Sequence, residues 1–286
     1  MFKSRATLAL VAPGVSWLLL LMVVPCLLIF VYAFFERGVY GGIVYSFGFE
    51  NFSRAAEPIY RTVFLKSAGI AGLATFFSLL LAYPAAYAIS RAPRGRQTRL
   101  LILVMLPFWS NYLIRTYAWI VLLNREGIVN HALIGSGFIS EPLTLLYNEF
   151  AIVTGLVYNY LPFVILTIYA SLQRLNPEVL EASADLGAPA WKTFVRITLP
   201  LTMPGMAAGA VFVFVLSIGN FITPDLLGGG RTLMVGNLIY DQFLSARDWP
   251  FGSALSLMLI IIMMLLLFLQ AVFSNRAQNN SQDKHE

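Results

Sequence analysis

Six long apolar runs, set apart by short polar stretches, dominate the chain: residues 8–35, 63–89, 100–123, 150–172, 201–222 and 253–273. Each reaches the ~20 residues that a helix needs to cross hydrocarbon. None alternates with the period of a strand, and a spanning helix satisfies its own backbone. The pattern predicts an all-α integral membrane protein with six transmembrane helices over 8–273, a short segment 1–7 before them and a polar tail 274–286 after them. Pro84, Pro107 and Pro162 are expected to bend their spans. Composition agrees: 12% of residues are charged, against about a quarter in a soluble domain. The first run is longer than the roughly 7–15 apolar residues of a cleaved signal, which predicts a retained anchor.

Basic residues orient these spans. With the N-terminus inside, the cytoplasmic segments hold eleven Lys and Arg, including the run Arg91, Arg94, Arg96 and Arg99, and the outer loops hold six. That bias places both termini in the cytoplasm. It also explains the net charge of +5 by anionic lipid, without nucleic acid.

One segment breaks the apolar pattern. Residues 176–200, NPEVLEASADLGAPAWKTFVRITLP, form a polar island that the orientation puts in the cytoplasm. Asn176 is placed to cap a helix whose first position is Pro177. Gly187 is the residue type that follows a helix end, and Pro189 restarts a second helix that Pro200 and Pro204 are expected to stop. Glu178, Glu181 and Asp185 fall at i, i+3 and i+7 and share one stripe. Like charges so placed repel by about 0.2–0.5 kcal/mol per pair. Glu181 and Asp185 lie beyond the favourable end of the helix dipole and would gain most from an external cation. The second helix carries Trp191, Phe194, Val195 and Thr198 on one side and Lys192 and Arg196 on another, suited to a membrane surface or a bundle. A solvated loop is the alternative reading of the island.

The string Glu181-Ala182-Ser183, then Gly187, then Ile197-x-Leu199-Pro200 resembles the EAA motif of importer-type ABC permeases, E-A-A-x3-G-x9-I-x-L-P. Every spacing is met, and the one departure is Ser183 in place of alanine. PFWSNYLIRTYAWIVLLNREGIVN (Pro107 to Asn130) and VGNLIYDQFLSARDWPFGSALS (Val235 to Ser256) are similar to segments of the spermidine/putrescine permease subunits. With the EAA region the similarity runs from about Phe52 to Phe273. It implies a type I ABC importer permease in the bacterial inner membrane, moving a polyamine by alternating access. The implied partners are an ABC ATPase dimer, a second six-span permease and a periplasmic substrate-binding protein. ATP and Mg would sit on the ATPase, with no cofactor on this chain. Glu181, Ala182, Ser183, Asp185, Leu186 and Gly187 would then form the coupling segment. The same machinery could serve an amino-acid derivative or an opine, and an ion-coupled secondary transporter is a further alternative. Against that last reading, only Lys66 and Arg115 fall within spans, and no inverted repeat is visible.

The chain lacks a phosphate loop, since Gly228-Gly229-Gly230-Arg231 has neither the lysine nor the following Ser/Thr. With one cysteine, Cys26, and two histidines, His131 and His285, no metal site is expected, nor is a nucleophilic catalytic arrangement. Polar side chains inside spans are the candidates for a substrate path: Trp109, Asn111, Tyr112, Tyr158, Asn159, Asn220 and Asp225, with Tyr160 at comparable depth. Arg115 is a poor neighbour for a cation and is expected to cap helix carbonyls or to pair with an acid on a partner subunit. Gly205 and Gly209 are spaced for close helix packing. Nine acids in the outer loops, Asp225, Asp241 and Asp248 among them, suggest a docking face that also attracts a cation.

Overall fold

The computed structural model describes residues 5–38 and 42–282, with side chains over 10–38 and 42–272. Lys3, Lys284 and His285 therefore lie outside the described residues. Helix α1 (Arg5–Tyr32) leads into a hairpin of two short strands, β1 (Glu36–Arg37) and β2 (Ile43–Val44), and a short α2 (Glu50–Ala55). Then come α3 (Pro58–Arg91), α4 (Arg94–Met105), a 3-10 turn at Leu106–Trp109, α5 (Tyr112–Leu123), α6 (Ile128–Gly135) and α7 (Glu149–Gln173). The island holds α8 (Pro177–Asp185), α9 (Ala190–Thr193) and a π turn at Phe194–Thr198. The chain ends with α10 (Leu199–Ile218), α11 (Ile222–Gly228), α12 (Val235–Leu244) and α13 (Trp249–Gln282).

Two compact units are distinguished, and the first comprises the chain up to Thr62 with Leu238–Ile262. Its hairpin is antiparallel, with Glu36 opposite Val44 and Arg37 opposite Ile43. Asn51 donates to the carbonyls of Ala33 and Phe35 (3.1 and 2.8 Å), two acceptors near the end of α1 that have no helical partner. Phe34 stacks on Phe47 at 5.0 Å and meets Phe49 and Phe52, which fixes the turn by aromatic packing. Asp248 is 1% exposed. Its carboxylate accepts from Arg54 at 2.8 Å and from the backbone N–H of Phe251 at 3.2 Å. The Arg54 guanidinium lies 3.9 Å from the Phe251 ring centre. Burial opposes the Arg54 charge, but hydrogen bonds to Asp248 and Tyr60 outweigh it and hold the pKa above its ordinary value. Asp248 is thus an internal counter-ion and helix cap. The expectation that it draws a cation from outside is not met.

The second unit, Val63–Asn237 with the chain from Met263 onward, is organised around α7. Ile152, Leu156, Val164 and Ile168 are fully buried there. Helix α10 crosses α7 at two glycines, where a Cβ on Gly205 would strike Ser171 and one on Gly209 would come within 2.7 Å of Thr167 Oγ1. Small residues let the two backbones approach, as the spacing predicts. Helix α3 joins α10 through a buried Tyr83–Thr202 hydroxyl pair at 2.9 Å. Asn130, 1% exposed, donates to the carbonyls of Asn124, Arg125 and Leu143 and accepts from Leu143, so one amide stitches the loop after α6 to the turn before it.

The third run bends beside Pro107, where a bend is expected, and the bend is a full break: Arg94–Trp109 and Tyr112–Gly135 meet at 88°. Pro107 sits in the 3-10 turn, and Asn111 starts a new helix by accepting from Leu113 N–H at 2.8 Å. Arg115 reaches back across the break, donating to the Pro107 carbonyl at 3.1 Å with its guanidinium 4.2 Å from the Phe108 ring centre. It caps a helix carbonyl, one of its two expected roles. One expectation needs correction: Pro200 and Pro204 do not stop the second island helix, which runs on through α10. The π turn at Phe194–Thr198 immediately precedes Pro200 and widens the backbone where the proline ring would meet the carbonyl of Arg196.

Replacing Asp248 by Ala should lower the stability of the purified protein by about 1–3 kcal/mol, because Arg54 and the Phe251 N–H lose their acceptor. An unchanged unfolding midpoint in detergent would contradict this role.

Candidate functional site: a polar elbow and a tyrosine collar

The island is built from its caps inward. Asn176 Oδ1 accepts from Glu178 N–H at 3.1 Å and Pro177 takes the first helical position, so α8 begins where its sequence dictates. After Asp185 the chain turns through Gly187 at φ +72°, with Gly187 N–H on the Ala184 carbonyl (2.8 Å) and Ala188 N–H on that of Ser183 (3.1 Å). A Cβ there would meet nothing within 4 Å, so conformation and not space calls for glycine. Pro189 then accepts from Lys192 N–H at 2.9 Å to open α9.

Ser183, 6% exposed, shares a proton with Thr193 across the elbow, Oγ to Oγ1 at 2.8 Å. The departure from the EAA pattern therefore has a structural use: its hydroxyl ties α8 to α9. One residue on, the Phe194 ring lies 5.6 Å from Tyr83 and 5.5 Å from Tyr87, edge to face with both, and fastens the elbow to α3. Thr193 and Phe194 were not singled out for these roles by the sequence. Their signal, a Thr ten residues after the Ser and an aromatic beside it, becomes readable only once the turn is known.

Ser183 faces inward, while Glu181, Ala182, Asp185, Leu186 and the turn residue Gly187 are exposed. Leu186 is 87% exposed and Trp191 65%. Among the described residues no ion pair involves Glu178, Glu181 or Asp185. A rigid bend thus presents an acidic stripe beside bare apolar side chains.

A second constellation lies where α10 ends. Asn220 donates to both the Tyr112 and Tyr160 hydroxyls (2.7 and 2.8 Å) and accepts from Thr223 N–H (2.9 Å). Tyr112 pairs with the Thr223 hydroxyl at 2.6 Å, and Tyr160 donates to the Leu216 carbonyl at 3.3 Å. The two phenols and the amide form a collar on a cavity of ≈ 320 Å³ whose lining carries no charged side chain. Asn237 donates to the Phe221 carbonyl at 2.8 Å and pins the turn that carries Asn220.

The structure brings Tyr112, Tyr160 and Asn220 together and adds Thr223. Asn159 lies beside Tyr160 on α7, 2% exposed. Trp109 is 83% exposed next to the break, and Asn111 serves as the α5 cap. Tyr158 packs on Trp119 (ring centres 5.5 Å apart) in an apolar recess with Phe77 and Leu81. Asp225 is exposed on α11, away from the collar's hydrogen bonds.

Among the described residues five helices are long and apolar enough to cross a membrane, or six if the bent pair counts as one span. With this arrangement in place the chain can be set beside known proteins. Residues 8–279 match the family described as binding-protein-dependent transport system inner membrane component, and the chain belongs to that family. It is a multi-pass transport subunit of the inner membrane and not an enzyme. It is 42% identical to the spermidine/putrescine transport system permease protein PotB of Haemophilus influenzae over 253 residues, 88% of each chain. Against the protein of that name from Escherichia coli it is 40% identical over 253 residues, 88% of this chain and 92% of the relative. In fold it is similar to a chain of a bacterial ABC transporter involved in the import of the acidic polysaccharide alginate, with a TM-score of 0.77 at 18% identity over 95% of each chain. A chain of the MetNI methionine ABC transporter aligns with a TM-score of 0.57 at 14% identity, covering 77% of this chain and 99% of the other. The architecture is that of a type I ABC importer permease.

Replacing Gly187 by Ala forces a β-carbon into the left-handed region at a cost of about 1–2 kcal/mol. Hydrogen exchange should then quicken at the Ala188 and Lys192 amides while α7 stays protected; equal protection throughout would show that the elbow does not depend on glycine.

Proposed function

We propose that this chain is one of two transmembrane subunits of an ATP-driven importer that receives a polyamine of the spermidine or putrescine kind from a periplasmic binding protein and releases it into the cytoplasm by alternating access. The observation that carries this reading is the elbow: exposed, unpaired carboxylates on a glycine-turned bend continuous with a membrane-spanning helix. Relatives about two-fifths identical are named as spermidine/putrescine permeases, which supports the cargo.

The elbow faces the cytoplasm, as do both termini, and sits against one member of an ATPase dimer. There Glu181 and Asp185 meet basic groups or backbone N–H donors, while Leu186 and Trp191 fill apolar clefts. ATP and Mg bind on that dimer, and the chain itself carries no cofactor. A sister permease of six spans completes the pathway. Tyr112, Tyr160 and Asn220 contact the cargo, Trp109, Asn111 and Asp225 border the approach, and Tyr158 is left to the apolar recess. Aromatic faces and neutral oxygens suit an alkyl diamine or triamine, since they attract ammonium groups without holding them as tightly as a carboxylate would. Ion coupling is disfavoured by the state of the intramembrane charges: Lys66 pairs with Glu149 at 2.9 Å, and Arg115 is committed to the Pro107 carbonyl.

The test is uptake by the complete complex in liposomes. Labelled putrescine or spermidine should accumulate only with ATP on the ATPase side and should continue after an ionophore collapses ion gradients. Gly187→Pro and Glu181→Arg should leave ATP hydrolysis running with uptake lost, since proline cannot adopt φ +72° and arginine reverses the docking charge. Uptake driven by a proton gradient without ATP, or normal uptake in both variants, would contradict the proposal.

A further inference from the structure

The collar has little hydrogen-bonding capacity left for a guest. Both Asn220 Nδ2 protons go to the tyrosine hydroxyls, its Oδ1 takes the Thr223 N–H, the Tyr160 proton goes to the Leu216 carbonyl, and Tyr112 is engaged with Thr223. Spare lone pairs on the phenols and one on Asn220 Oδ1 remain, and no carboxylate lines the cavity. A protonated amine arriving here would find aromatic faces but no wholly unengaged acceptor in the collar itself.

One such acceptor lies beside it. Asn159 is 2% exposed, and neither its Oδ1 nor its Nδ2 has a partner. Its neighbour Tyr160 is half of the collar. One turn earlier on the same face of α7, Gly155 abuts the Thr223 and Leu227 side chains; one turn later, Phe163 meets Phe108 at 5.7 Å. The Asn159 amide is thus directed between α7 and the elements that carry the collar. Burying a primary amide with nothing to bind is unfavourable, and native interiors rarely leave both of its atoms idle.

We infer that the Asn159 side-chain oxygen accepts a hydrogen bond from a protonated amine of the cargo, one step inside the tyrosine collar, and is a specificity-determining contact of the path. This rests on the polyamine reading above. The amide oxygen is a stronger acceptor than the phenols and bears no charge, so it selects N–H donors without trapping a multivalent cation. The Asn159 N–H2 group is left to water that enters with the cargo.

The experiment uses the whole complex in liposomes and measures both KM and maximal rate for putrescine, together with the unfolding midpoint of each variant. Asn159→Leu removes two idle polar atoms at similar volume, so the midpoint should hold or rise while KM increases about tenfold to a hundredfold, the factor for one hydrogen bond to a charged group. Asn159→Ala, which needs no room for repacking, should raise KM in the same way. Asn159→Asp keeps an acceptor and adds the trapping charge, so KM should fall below the native value and the maximal rate should fall with it. A native KM in the Leu or Ala variant overturns this inference and leaves the polyamine reading standing. Failure of the native complex to take up putrescine or spermidine overturns both.

Discussion

Force applied at Glu181 can reach the membrane only if no soft joint lies between the elbow and the bundle, and the packing around Gly187 meets that requirement. The left-handed turn fixes the angle, the Ser183–Thr193 hydroxyl pair locks α8 to α9, and Phe194 is wedged between two tyrosines of α3. From Ala190 the helix continues through the π turn to Ile218 without interruption, a rod of about 40 Å at 1.5 Å per residue. A push on the acidic stripe therefore becomes a displacement of α10.

The far end of that rod carries the tyrosine collar. Asn220 follows α10 directly and holds Tyr112 and Tyr160 by the two protons of one amide. Moving α10 against α7 changes the collar, because Tyr112 and Tyr160 belong to different helices. The glycine contacts at Gly205 and Gly209 let α10 lie close on α7. On the proposed reading, the elbow and the collar are two ends of a single mechanical element, with hydrolysis at one end and passage at the other.

Local chemistry was legible in the chain and long-range pairing was not. Asn176, Pro177 and Gly187 act through their immediate neighbours, so their roles as cap, first turn and bend could be read from residue type and spacing. Gly205 and Gly209 likewise. The π turn ahead of Pro200 is a backbone adjustment with no residue signature, which is why the helix was expected to stop there. Asp248 was assigned to the outer surface because its partner Arg54 lies 194 residues away. Thr223 acquires meaning only through Asn220, and that knot joins three separate helices and a turn. Pro107 signals a bend in the third run, but the apolar residues continuing beyond it hide the full break at Ser110-Asn111.

The central claim is that the elbow is the surface on which an ATPase acts. It is tested most directly by zero-length carboxylate-to-amine cross-linking of the assembled complex, with the linked peptides read by mass spectrometry. The account predicts that Glu181 or Asp185 joins a lysine of the ATPase. Links from these carboxylates to the binding protein, or none to the ATPase in a complex that hydrolyses ATP and transports, would contradict it.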